Sequence, residues 1–298
     1  MTMQPEQGIS RELSYGEIFS KTFQVYRRYF AKYFVLFAIV GVIIQVVTTL
    51  AMQAFVRPAP LPLNPTPQQF SSYLSSLFEA LFLLLAVIFL VNVIFSTIAQ
   101  GGAIKMASDE ITKGQVNTGA SVRFAVSKLL SIWALSIIVG IIVFLGFIAL
   151  IVPGIILAIM YSLALPVLLI ENKGVTESMR RSRQLVSHRW GKTLGTFLAL
   201  AIIVIITSLI VSAITAPLGN VLGPIVNGIL SAFYQPLFPI LLAVYYYSNL
   251  ARTAQAPPGQ MPMAPTATFH AGMKLCPTCG TQNAPTATFC TKCGARLN

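Results

Sequence analysis

Of 298 residues, 55% are apolar and only 9% carry a charge, which excludes the polar surface of an ordinary soluble protein. A formal net charge of +12 would suit nucleic acid, yet nineteen of the twenty Lys and Arg residues fall in segments 1–32, 101–128, 171–192 and 250–298, flanking long apolar stretches. Basic excess on alternate connections is the mark of a multi-pass membrane protein with its basic side facing the cytoplasm and anionic lipid, so nucleic-acid binding is disfavoured.

In chain order, residues 1–32 are polar, mixed in charge and without an apolar core. No cleavable signal is expected there, and the first span serves as its own insertion signal. That span is predicted over 31–55 and the second over 80–104. The connection between them holds Arg57 and the run PAPLPLNPTP at 58–67, whose five prolines favour an extended, solvated spacer. Residues 70–79 are expected to begin the second helix outside the membrane core.

Leu129 to Ile170 contains 42 residues without a charge. As one helix it would measure about 63 Å, roughly twice the hydrocarbon thickness. A fold-back at Pro153-Gly154 would give spans over 130–151 and 154–171. Thr193 to Ala251 is likewise uncharged, and breaks at Pro217–Asn220 and Gly223-Pro224 predict spans over 194–216 and 226–249. Pro236 and Pro239 should kink the last of these. The predicted fold is therefore an all-α polytopic membrane protein with six transmembrane helices in three hairpins and both termini cytoplasmic.

Each hairpin is preceded by a segment with one pattern. Gly16, Phe19, Thr22, Tyr26 and Phe30 form the first set, Gly119, Val122, Ala125, Leu129 and Trp133 the second, and Thr176, Met179, Ser182, Val186 and Trp190 the third. The shared offsets of 0, 3, 6, 10 and 14 place all five positions on one helical face, with a small residue third and an aromatic last in each set. Three amphipathic helices at the cytoplasmic surface are predicted. Arg27, Arg28, Arg180, Arg181 and Arg183 lie off the stripe, and Trp133 and Trp190 sit at the level of an aromatic belt. All seven are candidate lipid-surface contacts.

The composition changes after the last span. Residues 1–252 are read as the membrane domain, 253–273 as an uncharged Pro-, Ala-, Thr- and Met-rich linker, and 274–298 as a small module. The linker's APTATF, at Ala264–Phe269, recurs at Ala284–Phe289. The module holds Cys276, Cys279, Cys290 and Cys293 in the pattern C-x2-C-x10-C-x2-C. Two residues between cysteines let one tight turn aim both thiolates at a single metal, and four thiolates close a tetrahedral shell around one structural zinc ion. In a reducing cytoplasm two disulfides are the weaker alternative. Lys274, Lys292 and Arg296 give too little charge for nucleic acid, so the module is read as a docking knob for a cytoplasmic protein partner, with Phe289 as its main aromatic. His270 is left as a solvated linker residue.

The eight carboxylates and two histidines include no mid-membrane acid, metal triad or nucleophile–base pair, so no catalytic residues are assigned and no enzyme activity is expected. Gln45, Asn92, Ser96, Gln100, Ser162, Thr207, Ser208 and Gln235 are polar but uncharged within the spans. Hydrogen-bonded joints between helices are favoured over a transport path for these residues. The leading expectation is a non-enzymatic scaffold or regulator carrying the ribbon. The alternative is a transporter or lipid-handling protein for a neutral or lipid-like substrate.

Residues Leu150–Gly195, with Pro153-Gly154, Pro166, Glu171, the Ser178–Ser182 run and Gly191 to Gly195, resemble the membrane domain associated with glycerophosphoryl diester phosphodiesterases and its stand-alone relatives. The opening Leu13–Phe19 followed by Tyr26-Arg27-Arg28, the run Gly101–Ile104 and the run Tyr245–Asn249 are similar to the same family. The likeness covers roughly residues 10–250. It implies architecture and not phosphodiesterase chemistry, which in that family belongs to a separate barrel domain. The C-terminus resembles zinc ribbons appended to many prokaryotic membrane proteins.

Overall fold

The computed structural model describes residues 8–55, 64–255, 274–275, 282–284, 286–290 and 295–296. The chain divides into two compact units, Met1–Gln255 and Ala256–Asn298.

Every regular element described in the first unit is a helix. Helix α1 (Tyr15–Arg28) starts at a capping box in which Ser14 and Glu17 satisfy each other's backbone N–H groups. A one-residue break at Tyr29 leads into α2 (Phe30–Phe55). Helix α3 (Pro67–Lys113) opens at a second capping box, Thr66 with Gln69, and Pro67 occupies a first-turn position where its missing N–H is harmless. At 47 residues α3 is about 70 Å long and must project beyond a hydrocarbon core of about 30 Å. The expected second span, 80–104, is its apolar middle.

Helix α4 (Thr118–Ser127), capped by Asn117, packs on α3 and leads through Lys128 into α5 (Leu129–Ala149). The turn that follows is centred on extended Leu150, three residues before the expected Pro153-Gly154 break. Pro153 lies in the first turn of α6 (Ile151–Tyr161), where proline is tolerated. Gly154 serves the hairpin differently: a Cβ there would lie 2.5 Å from the Phe147 ring. Helix α6 ends at Ser162–Leu163 and α7 (Ala164–Ile170) continues the same expected span. After α8 (Val175–Val186), α9 (Trp190–Thr215) reaches a short 3-10 turn at Ala216–Leu218, and α10 (Gly219–Ser231) turns back to pack on α9 and α2.

Five stretches are long and apolar enough to cross a membrane: Phe30–Phe55, Pro67–Lys113, Leu129–Ala149, Ile151–Ile170 and the folded stretch Trp190–Ser231. Phe82, Ile151 and Leu209 are 72%, 70% and 64% exposed, as lipid-facing side chains on such stretches are. The sixth expected span, 226–249, is not one helix. It is divided between α10 and α11 (Leu237–Gln255), because Pro236 and Pro239 remove backbone donors on either side of α11's start. Helix α11 is largely buried, packed among α1, α3, α7 and α8, and it carries Ile240 through Tyr246 into the core. It also extends to Gln255, so residues 253–255 of the expected linker are helical.

In the second unit, strands β1 (Lys274–Leu275) and β2 (Gln282–Asn283) pair antiparallel, and Phe289 and Arg296 form a further antiparallel bridge.

Candidate functional site

Among the described residues, the basic connections of the first unit gather at one end of its helices. Tyr29 donates to Gly114 O at 2.8 Å and Lys32 to Val116 O at 2.6 Å, tying the first connection to the second. Glu12 receives Arg189 Nε and Nη2, both at 2.9 Å, and Lys192 Nζ at 2.6 Å, tying the first to the third. Arg252 donates to Leu185 O at 2.8 Å, and the Leu13 N–H donates to Ser248 Oγ at 2.9 Å, bringing in α11. Burial alone would raise the Glu12 carboxyl. The hydrogen bonds and charges of Arg189 and Lys192 outweigh that effect and hold it below its ordinary value. Glu171 is fixed in the same layer by Arg181 Nε at 3.2 Å and the Tyr246 hydroxyl at 2.8 Å.

The three amphipathic segments are α1, α4 and α8. Their small third residues, Thr22, Ala125 and Ser182, are each almost fully buried, because these helices pack on α11, α3 and α6–α7 respectively. Ser182 bridges the break between α6 and α7: its hydroxyl donates to Met160 O at 2.8 Å and accepts from Leu163 N at 3.1 Å. Arg27, Arg28, Arg180 and Arg183 are exposed off the buried stripe. Arg181 is half-buried on Glu171, and Trp190 is exposed. Half-buried Trp133 donates to Thr97 Oγ1 on α3 at 3.3 Å.

The uncharged polar residues of the spans do not scatter evenly. Gln45, Asn92, Ser96, Gln100 and Gln235 line one cavity of about 380 Å³. Asn227, Ser231 and Tyr234 complete its polar lining, and the sequence reading did not single these out. Ser162, Thr207 and Ser208 lie elsewhere and bond carbonyls of their own helices.

Of the four cysteines, Cys276, Cys279 and Cys293 lie outside the described residues, as do Arg57, His270 and Lys292. Cys290 is buried, its N–H donates to Ala295 O at 2.8 Å, and Asn283 Nδ2 approaches its sulfur at 3.7 Å. An amide donor facing a buried sulfur suits a metal-bound thiolate, whose remaining lone pairs accept such bonds. The residues present thus fit zinc, which Cys276, Cys279, Cys290 and Cys293 would hold. Its role there would be to cross-link the fold.

A zinc-ribbon domain model matches residues 275–297. No curated protein and no solved structure matches the chain. The uncharacterised protein family UPF0259 matches residues 68–249, and no link to glycerophosphoryl diester phosphodiesterases accompanies that match. Since it spans more than half of the chain, from the first turn of α3 to the middle of α11, the protein belongs to the uncharacterised protein family UPF0259.

Proposed function

We propose that this protein is a non-enzymatic membrane scaffold whose zinc ribbon docks a cytoplasmic protein partner. The observation that carries the reading lies in the ribbon. Phe289 is 60% exposed beside Cys290 at 4%, and Arg296 is exposed opposite Phe289 across the bridge. An exposed aromatic next to an arginine, on a module held rigid by metal, is the composition of an interaction hot spot. In this reading α10 and α11 together make the sixth crossing, and the basic layer faces the cytoplasm with both chain ends. Five of the eight carboxylates, Glu12, Glu17, Asp109, Glu171 and Glu177, are engaged in ion pairs, which supports a structural reading of those five.

Affinity capture from native membranes tests this reading. The intact chain is compared with Phe289→Ala and with Cys276→Ser/Cys279→Ser, and captured proteins are identified by mass spectrometry. Proteins retained by the intact chain and lost from both variants are the expected result. An unchanged protein list across all three contradicts the docking role.

A further inference from the structure

The membrane unit closes around a broken helix. Pro236 and Pro239 have no N–H, so the carbonyls of Ala232 and Gln235 receive no helical bond from four residues ahead. Toward the basic end the break is covered. The Tyr26 hydroxyl donates to Phe233 O at 3.0 Å, and the rings of Phe34 and Phe233 pack with centroids 4.7 Å apart. On its other flank lies the 380 Å³ cavity, in the size range of small-ligand sites.

The hydrogen-bond inventory of that cavity is divided. Asn92 Nδ2 donates to Ile88 O at 2.9 Å, Ser231 to Gly228 O at 3.0 Å, and Asn227 Nδ2 to Thr215 Oγ1 at 3.2 Å. The side chains of Gln45, Ser96, Gln100, Tyr234 and Gln235 make no hydrogen bond to another described residue. Gln45, Ser96, Gln100 and Tyr234 are half-buried and Gln235 is exposed, so these groups are open to a partner that enters the cavity, and within hydrocarbon a polar group without one costs several kcal/mol.

The lining dictates the partner's chemistry. It includes no charged side chain, so a phosphate, carboxylate or ammonium would enter without a counter-charge. Amides and hydroxyls each donate and accept, which matches a ligand whose groups do both. Phe37, Ile44, Val204 and Phe238 supply apolar walls. A second cavity, of about 890 Å³, shares Gln45 and Asn227 with the first and continues past Thr48 and Ser212 to the α9–α10 turn. The polar surface therefore runs from the end opposite the basic layer to the broken helix.

We infer that this cavity binds a neutral, hydroxyl-rich ligand, either a free polyol or the head of an uncharged lipid, admitted from the end opposite the basic layer. The site is independent of the ribbon, and its test does not depend on partner docking.

The experiment is equilibrium binding of radiolabelled glycerol and of radiolabelled dioctanoylglycerol to the full-length protein in lipid nanodiscs. Gln45→Leu/Gln100→Leu removes two unbonded amides, and Gln235→Leu alone removes one at the break should the double variant fail to fold. Ser127→Ala, outside the cavity, is the control. Saturable binding of at least one probe is expected, weakened about tenfold or more by the double variant and clearly reduced by Gln235→Leu, with the control unchanged. Glycerol alone would mark a free polyol site, and dioctanoylglycerol alone a lipid-head site. The inference is overturned if neither probe saturates, or if binding is the same in the cavity variants as in the control.

Discussion

Gly41 and Gly228 meet backbone to backbone where α2 crosses α10: a Cβ on Gly41 would lie 2.5 Å from the Gly228 carbonyl oxygen, and one on Gly228 would lie 2.9 Å from that of Gly41. Small residues at such a crossing let two membrane helices approach closely enough for extended van der Waals contact. Both glycines also form part of the cavity wall, so this crossing sets the separation of α2 and α10 there.

Substituting Gly41→Ala should therefore force the helices apart and destabilise the membrane unit by about 1–3 kcal/mol. Gly140→Ala, on α5 with nothing within 4 Å of the new methyl, should be neutral or stabilising by up to about 1 kcal/mol. Thermal unfolding of the two variants in the same detergent distinguishes them. Equal midpoints would show that the crossing is not tight.

Ser182 is fully buried and serves both sides of the α6–α7 break. Ser182→Ala leaves the Leu163 N–H and the Met160 carbonyl short of a partner, and should cost about 1–3 kcal/mol. Ser127→Ala removes only an exposed bond to Phe124 O and should stay within about 0.5 kcal/mol of the parent. Denaturant titration followed by tryptophan fluorescence reads both.

Glu12 makes stability depend on pH in a defined window. Its folded-state value is depressed, so its contribution is complete above the ordinary value of 4.5 and is lost as pH falls from there through the folded value. Glu12→Gln should lower the unfolding midpoint at pH 7 by an amount corresponding to about 1 kcal/mol, since the cluster is partly solvated. The same variant should flatten the acid limb of the midpoint–pH curve. A parent curve with no loss below pH 4.5 contradicts this assignment.

The purified protein should hold one zinc ion per chain, measured by atomic emission, and Cys290→Ser should lose it. Zinc binding supplies on the order of 10–16 kcal/mol to a module of this kind, so metal loss should open residues 256–298 to protease. The membrane unit's unfolding midpoint should be unchanged. Retention of zinc by Cys290→Ser would exclude the four-cysteine site.

The sequence disclosed the membrane class, the placement of four of the spans to within a few residues, and the three amphipathic helices. Charge, apolar length and helical period each act over many residues and survive local irregularity. Local breaks were harder to place. Pro153 looked like the turn because proline ends helices, yet within a first turn it costs nothing, and the chain instead turns at Leu150. Pro236 and Pro239 read as a kink, but two missing donors three residues apart divided the span and sent α11 into the core. All eight polar span residues could be named individually, whereas the convergence of five of them on one cavity depends on how α2, α3 and α10 pack beside the Pro236 break. Glu12 carried no signal at all, because its partners Arg189 and Lys192 lie more than 170 positions away.

The scaffold reading depends most directly on the side of the membrane that the basic layer faces. With the four cysteines replaced by serine, Ser72→Cys places one thiol on the projecting start of α3 and Gln184→Cys places one at an exposed position of α8. A membrane-impermeant maleimide is applied to intact cells and to permeabilised cells. Labelling of Ser72→Cys in both preparations, and of Gln184→Cys only after permeabilisation, is the predicted result. Labelling of Gln184→Cys in intact cells would place the basic layer outside and contradict a cytoplasmic docking role.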